Sequence, residues 1–262
     1  MGLRHLIILF LCSLSLASCA QSDSATGNIK PVIETITVPL GDGQLVLKKW
    51  TFGEPQSYLF LQLHDNEATA EEAVIGFLQQ HGGVLLSVEN GGNRNVSFHF
   101  QKDSFVFDPN RIFTTEGRTA TLQRLGKSSP EADSAVAKLA QAILQQLPDT
   151  ALIIAVHNNT DASFSTTSYQ RDSTYQKDAA AVHVNTAHDA DNFFLTTEKA
   201  IYHKLVQLNY NVILQDNVNA TNDGSLSVYF GKKGIRYVNV EAQHGHRSFQ
   251  LQMIQDLLQA LR

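Results

Sequence analysis

Hydrophobic and polar residues alternate with period two over Ile33-Glu34-Thr35-Ile36-Thr37-Val38. They break at Gly41-Asp42-Gly43 and resume over Gln44-Leu45-Val46-Leu47, which predicts a β-hairpin. Tyr58-Leu59-Phe60-Leu61-Gln62-Leu63 and Ala151-Leu152-Ile153-Ile154-Ala155-Val156 are nearly unbroken apolar runs, the pattern of buried strands. Between them, Thr69 reads as an N-cap with Glu71 and Glu72 in the first turn of a helix that reaches about Gln80 and stops at Gly82-Gly83. Residues 84–88, 95–100 and 105–107 read as strands, and Asn90-Gly91-Gly92-Asn93 as a loop. Ser129-Pro130-Glu131 opens a helix whose Val136, Leu139, Ile143, Leu144 and Leu147 keep the helical period. A helix over 193–208 and a strand over 211–214 follow. Alternating strands over 225–230 and 236–241 then flank the turn Gly231-Lys232-Lys233-Gly234, and an amphipathic helix over 249–261 closes the chain. Strands alternating with helices predict an α/β fold: a single domain with a mixed central sheet flanked by helices.

The N-terminus follows a different pattern. Met1-Gly2-Leu3-Arg4-His5 supplies a short positive region, and the apolar stretch over 6–16 is too short to span a membrane. Leu16-Ala17-Ser18-Cys19 looks like a bacterial lipoprotein signal, in which Cys19 is lipidated and becomes the new N-terminus; an ordinary cleaved signal peptide is the alternative. The expected layout is a signal over 1–18, a flexible polar tether over 19–30 and one folded domain over 31–262. The expected place is the cell envelope, anchored by lipid on the periplasmic face, and Ala20 after the cysteine favours the outer membrane. Of the two cysteines, Cys12 leaves with the signal, so the domain holds itself by its core and without a disulfide. A net charge of −5 with no basic block speaks against nucleic acid, and a monomer is expected.

Candidate chemistry sits at the ends of the two apolar strands. His64-Asp65-Asn66-Glu67 places a His and a Glu three apart, and His157 ends the second strand. Zinc takes imidazole nitrogen and carboxylate oxygen, and a catalytic site uses three protein ligands with one position left for water. His244 with His246, and His183 with His188, are rival close pairs, but neither has a carboxylate as well placed as Glu67. Taken alone, Asp108-Pro109-Asn110-Arg111 reads as a turn, and Arg94 as a solvated arginine in a Gly- and Asn-rich loop.

In chain order, however, His-x-x-Glu, Asp-x-Asn-Arg, a strand-ending His and a late strand-borne Glu resemble the zinc carboxypeptidase superfamily, including its aspartoacylase and succinylglutamate desuccinylase branch. The resemblance runs from about residue 57 to the C-terminus. It implies His64, Glu67 and His157 as ligands of Zn2+, and Glu241 in Val238-Asn239-Val240-Glu241 as general base. It implies Asn110 and Arg111 as the grip on a substrate carboxylate, Asp108 as partner of a ligating His, and Arg94 as the group that polarises the scissile carbonyl. The tyrosine that closes over the substrate in carboxypeptidases has no counterpart in Asp216-Asn217-Val218-Asn219-Ala220-Thr221-Asn222-Asp223; Tyr229 and Tyr169 are looser candidates, both more at home as packing residues.

The expected function is zinc-dependent hydrolysis of an amide bond next to a carboxylate-bearing group, as in a carboxypeptidase-like peptidase acting on cell-wall or other peptides. The alternatives are an aspartoacylase-like deacylase of N-acyl amino acids and a non-catalytic lipoprotein that binds peptides or carboxylates.

Overall fold

A computed structural model describes residues 27–160 and 164–262; the signal, Cys19 and the tether as far as residue 26 lie outside it. The chain enters through the expected hairpin, β1 (Pro31–Leu40) antiparallel to β2 (Gly43–Phe52). Gly41 stands at φ +61°, as a tight II′ turn asks of its first central residue, and an added Cβ would strike the carbonyl of His99. Next come β3 (Tyr58–Gln62), α1 (Ala68–His81) and β4 (Gly83–Glu89), then a separate small hairpin of β5 (Val96–Phe100) and β6 (Asp103–Phe107). Helices α2 (Thr115–Leu125) and α3 (Pro130–Leu144) lead into β7 (Leu152–Asn159). The second half runs β8 (Ala179–His183), β9 (Phe193–Thr196), α4 (Lys199–Gln207), β10 (Val212–Gln215), α5 (Leu226–Lys233), β11 (Tyr237–Gln243) and α6 (Arg247–Ala260).

Nine of these strands form one mixed sheet in the order β1-β2-β4-β3-β7-β11-β9-β10-β8, as the alternation of strands and helices predicts. Its centre, β4-β3-β7-β11, is parallel, and antiparallel pairings flank it on both sides. Because successive side chains on a strand face opposite ways, β7 feeds two cores. Leu152, Ile154 and Val156 pack with α1, α4 and α6, while Ile153 and Ala155 pack with α2, α3 and the β5–β6 hairpin. From β3 the chain moves outward to β4, and only later places β7 on the other side of β3. Open α/β sheets bind ligands in the crevice outside the carboxyl ends of such strands.

Three local expectations need correction. Helix α1 starts at Ala68, a turn's edge earlier than Thr69, whose hydroxyl instead accepts from the amide of Gly245 at 3.0 Å. The helix expected over 193–208 is split: Phe193 and Phe194 are fully buried inside the sheet as β9, and α4 begins only at Lys199. The strand expected over 225–230 is the helix α5. Ser225 caps it by accepting from the amide of Val228, Gly234 ends it in the left-handed region, and Leu226 and Phe230 bury one helical face.

Candidate metal centre

His64 and Glu67 lie on the turn between β3 and α1. The amide of Glu67 donates to the His64 carbonyl at 3.2 Å, and buried Gln62 donates from Nε2 to the carbonyls of His64 (3.2 Å) and Glu67 (3.1 Å), which cinches the turn. Glu67 stands at the N-terminal end of α1, where a carboxylate is favoured. His157 continues the Ile153–Ala155 series on β7, so its ring emerges on the same side of the sheet. His64 Nδ1 lies 3.2 Å from His157 Nδ1 and 2.9 Å from Glu67 Oε1, and His157 Nδ1 lies 2.9 Å from Glu67 Oε2. These three residues form the group able to hold a metal ion among the described residues, and all are buried.

The donor set suits a cation. Asp108 Oδ1 accepts a hydrogen bond from His64 Nε2 at 2.8 Å, which turns Nδ1 toward His157 and Glu67. An ionised carboxylate only accepts hydrogen bonds, so without an ion Glu67 draws protons onto the facing Nδ1 atoms of His64 and His157, the places a metal would take. In a tetrahedral zinc site, bonds of about 2.0–2.1 Å set ligand atoms about 3.3 Å apart, and the observed spacings fall within a few tenths of that. The charges agree. Burial alone would raise the Glu67 carboxyl, but His157 and His64 hold it well below the usual range. Burial would lower His64, and Glu67 and Asp108 hold it above its ordinary value. His157 Nε2 is buried without a partner, so His157 lacks the support that Asp108 gives His64.

Asp108 is also the cap of the 3-10 turn Pro109–Arg111, accepting from the Asn110 amide at 2.9 Å. The turn that the sequence suggests is thus the device that aims Asp108 at His64. Glu241 projects from β11 beside His157, with which it is in register. Tyr237, Asn239 and Glu241 share one face of that strand, and Asn239 Nδ2 donates to Glu241 Oε1 at 2.9 Å. Burial raises the Glu241 carboxyl, with His157 opposing and Glu67 adding to the effect.

A cavity of about 460 Å³ joins Glu67, His157 and Glu241 to Arg94, Asn110 and Arg111. Arg94 is half-exposed and donates from Nη1 to Glu67 Oε1 at 2.6 Å. Its loop hangs on Asp65, whose Oδ2 accepts from the amides of Asn90 (2.5 Å) and Gly92 (2.8 Å).

The structure therefore gathers eight of the nine residues singled out from sequence, and Cys19 lies outside the described residues. Among the described residues the rival histidines build no second centre: His244 and His246 are exposed, and His183 Nε2 meets Asn209 at 3.4 Å. Sequence reading passed over Asp65, Asp223, Tyr175, Tyr237 and Asn239. For Tyr237 and Asn239 a signal existed, the period-two series ending at Glu241. Tyr169 does line the cavity; burial pushes its phenol up, Glu241 adds to this and Arg111 opposes it.

No protein-family model matches the sequence, and no curated protein matches it. Similar solved structures include an aspartoacylase family protein from Mesorhizobium loti, at 13% identity, covering 90% of this chain and 68% of that one, with TM-score 0.47. Murein-tripeptide amidase MpaA from Escherichia coli O157 is similar at 12% identity, covering 90% and 94%, with TM-score 0.47. Succinylglutamate desuccinylase from Chromobacterium violaceum is similar at 14% identity, covering 87% and 69%, with TM-score 0.43.

Proposed function

We propose that the protein is a zinc-dependent hydrolase of an amide bond next to a carboxylate-bearing group. The observation that carries this reading is the convergence of His64, Glu67 and His157 at a cavity that also contains Glu241 and Arg111. When bound by those three residues, zinc supplies Lewis-acid polarisation and a more acidic water. Glu241 takes the proton from the attacking water and hands it to the leaving amine; its raised carboxyl suits both tasks. Arg94 donates to the carbonyl oxygen from its place beside Glu67. Arg111 forks onto the substrate carboxylate with two parallel hydrogen bonds, which lysine could not offer, and Asn110 adds its amide. Asp108 keeps the tautomer and orientation of His64.

Peptides and N-acyl amino acids both satisfy this grip. The signal-like Leu16-Ala17-Ser18-Cys19 supports a lipid-anchored envelope protein, and that address favours cell-wall peptides. Membrane partition of the wild type, with Cys19→Ser failing to be processed as a lipoprotein, tests the anchor; wild type recovered as soluble periplasmic protein would argue for ordinary cleavage. Metal analysis of purified protein tests the centre. About one zinc per chain is expected, with most of it lost in His64→Ala. Full retention in a His64→Ala, His157→Ala double variant would end this reading. A screen of peptides against N-acyl amino acids then separates peptidase from deacylase.

A further inference from the structure

Arg111 does not face the cavity alone. Asp223 Oδ2 lies 3.6 Å from its Nη1, and the two side chains are 36% and 32% exposed. Both line the large cavity and a smaller hollow of about 40 Å³ that shares Tyr169 and Tyr175 with it. Backbone packing, more than side-chain reach, sets this pair. Asp223 Oδ1 accepts from the Ser225 amide at 2.9 Å, and the Gly224 carbonyl accepts from the Phe113 amide at 3.0 Å. Gly224 stands at φ +80°, and a Cβ there would lie 2.7 Å from Gly117 Cα and strike the Arg111 carbonyl. On the other side, Arg111 Nη1 donates to the Asn110 carbonyl at 3.0 Å. The two loops thus meet backbone to backbone and present one positive and one negative charge at a fixed spacing.

A lone carboxylate at this place is drawn by Arg111 and repelled by Asp223 from nearly the same distance, and a lone ammonium meets the reverse. A group carrying both charges a few ångström apart satisfies both partners and leaves neither opposed. An α-amino acid head has that spacing, because its ammonium and carboxylate share one carbon. We infer that Arg111 and Asp223 form a subsite for a free α-amino acid head, and that Asp223 selects substrates whose carboxylate is accompanied by an ammonium group. Building on the hydrolase reading, this narrows the substrate class. The α-amine is free, so the amide to be cut is carried on a side chain, as in Nε-acyl-lysine or a γ-glutamyl amide.

Calorimetric binding to the full chain with its metal, carrying Glu241→Gln so that the probes are not hydrolysed, tests this apart from turnover. One probe series is Nε-acetyl-lysine, 6-acetamidohexanoate (no ammonium) and N-acetyl-1,5-diaminopentane (no carboxylate). The other is γ-glutamyl-methylamide against glutaric acid monomethylamide. In at least one series the zwitterion should bind about tenfold or more tightly than its carboxylate-only match, the scale of a hydrogen bond to a charged group. Asp223→Asn keeps an acceptor for the Ser225 amide while removing the charge. It should bring the two probes to within about threefold, with the carboxylate-only probe unweakened. Asp223→Glu, which keeps the charge, should keep the preference. Equal weakening of both probes by Asp223→Asn would make Asp223 a mere support for Arg111 and overturn the inference. So would a protein with Asp223 intact that shows no zwitterion preference in either series, even if the wild type hydrolyses other amides. A zwitterion preference in a protein that holds no zinc would keep the subsite and remove the hydrolase reading instead.

Discussion

His157 and Asn158 are neighbours on β7, yet they enter two buried polar clusters of opposite construction. On the α1 and α6 side, Asn158 Oδ1 accepts from the Ala70 amide at 2.8 Å, and Nδ2 donates to the Ala242 carbonyl (3.2 Å) and Gln250 Oε1 (3.0 Å). Gln250 Nε2 then donates to the carbonyls of His157 (3.0 Å) and Val240 (3.4 Å). Donors and acceptors balance there, and the network ties two helices to two strands. On the other side, ring nitrogens of His64 and His157 and the carboxylate of Glu67 converge on one point, and His157 Nε2 is left without a partner. A balanced buried network is a structural fastening, whereas two imidazoles and a carboxylate converging on one point suit a cation.

The sharpest way to test that contrast is Glu241→Gln. Turnover should fall on the order of a hundredfold or more, as for a positioned general base, while zinc content and Tm stay at wild-type values. Loss of the zinc along with activity would show that Glu241 belongs to the ligand set. On the opposite face, Gln250→Leu should cost about 1–3 kcal/mol in denaturant unfolding, because Asn158 and two carbonyls lose a buried partner. Turnover per folded molecule should be unchanged. If the folded variant failed to hold zinc, the two clusters would have to be treated as one.

Asp65→Ala probes the rim of the metal side. Releasing the amides of Asn90 and Gly92 frees the loop that carries Arg94, and kcat/KM should fall about tenfold, roughly the worth of one hydrogen bond to a charged group. Tm should move little. Unaltered kinetics would mean that Arg94 has no part in the reaction.

The last effect is silent at neutral pH. Burial pushes up the phenols of Tyr237 on the metal side and Tyr210 on the other, where a hydrogen bond to Asp256 adds to it. An unfolded tyrosine releases its proton near pH 10, so above that the unfolded chain binds fewer protons than the native one, and stability falls as pH rises. Ultraviolet titration should show these two phenols ionising only as the protein unfolds. Ionisation near pH 10 in the still-folded protein would refute their burial.

His64, His157 and Glu241 were legible because each stands at or just past the end of an apolar run. His157 and Glu241 lie near the ends of β7 and β11, where alternation fixes the side a residue faces, and His64 follows closely after β3. The parts that escaped notice depend on meetings between distant loops. Nothing near Asp223 announces Arg111, and nothing near Asp65 announces the loop of Arg94. The error over 225–230 has a local cause. Ser-Leu-Ser-Val-Tyr-Phe alternates like a strand, and only the Ser225 cap and the Gly234 stop, together with burial of Leu226 and Phe230, make it helical.

The order of strands also sets a timetable. His64 and Glu67 meet within one turn, but His157 is 93 residues from His64. In the proposed site, a refolding chain would offer a metal only a weak two-point hold until β7 docks beside β3, and Glu241 would arrive only when β11 has slotted between β7 and β9. Such non-local parallel pairings are slow steps. Metal capture therefore reports the closing of the sheet instead of seeding it: the ion is a latch dropped on a finished door, and adding zinc early in refolding should raise the final yield without hastening the first phases.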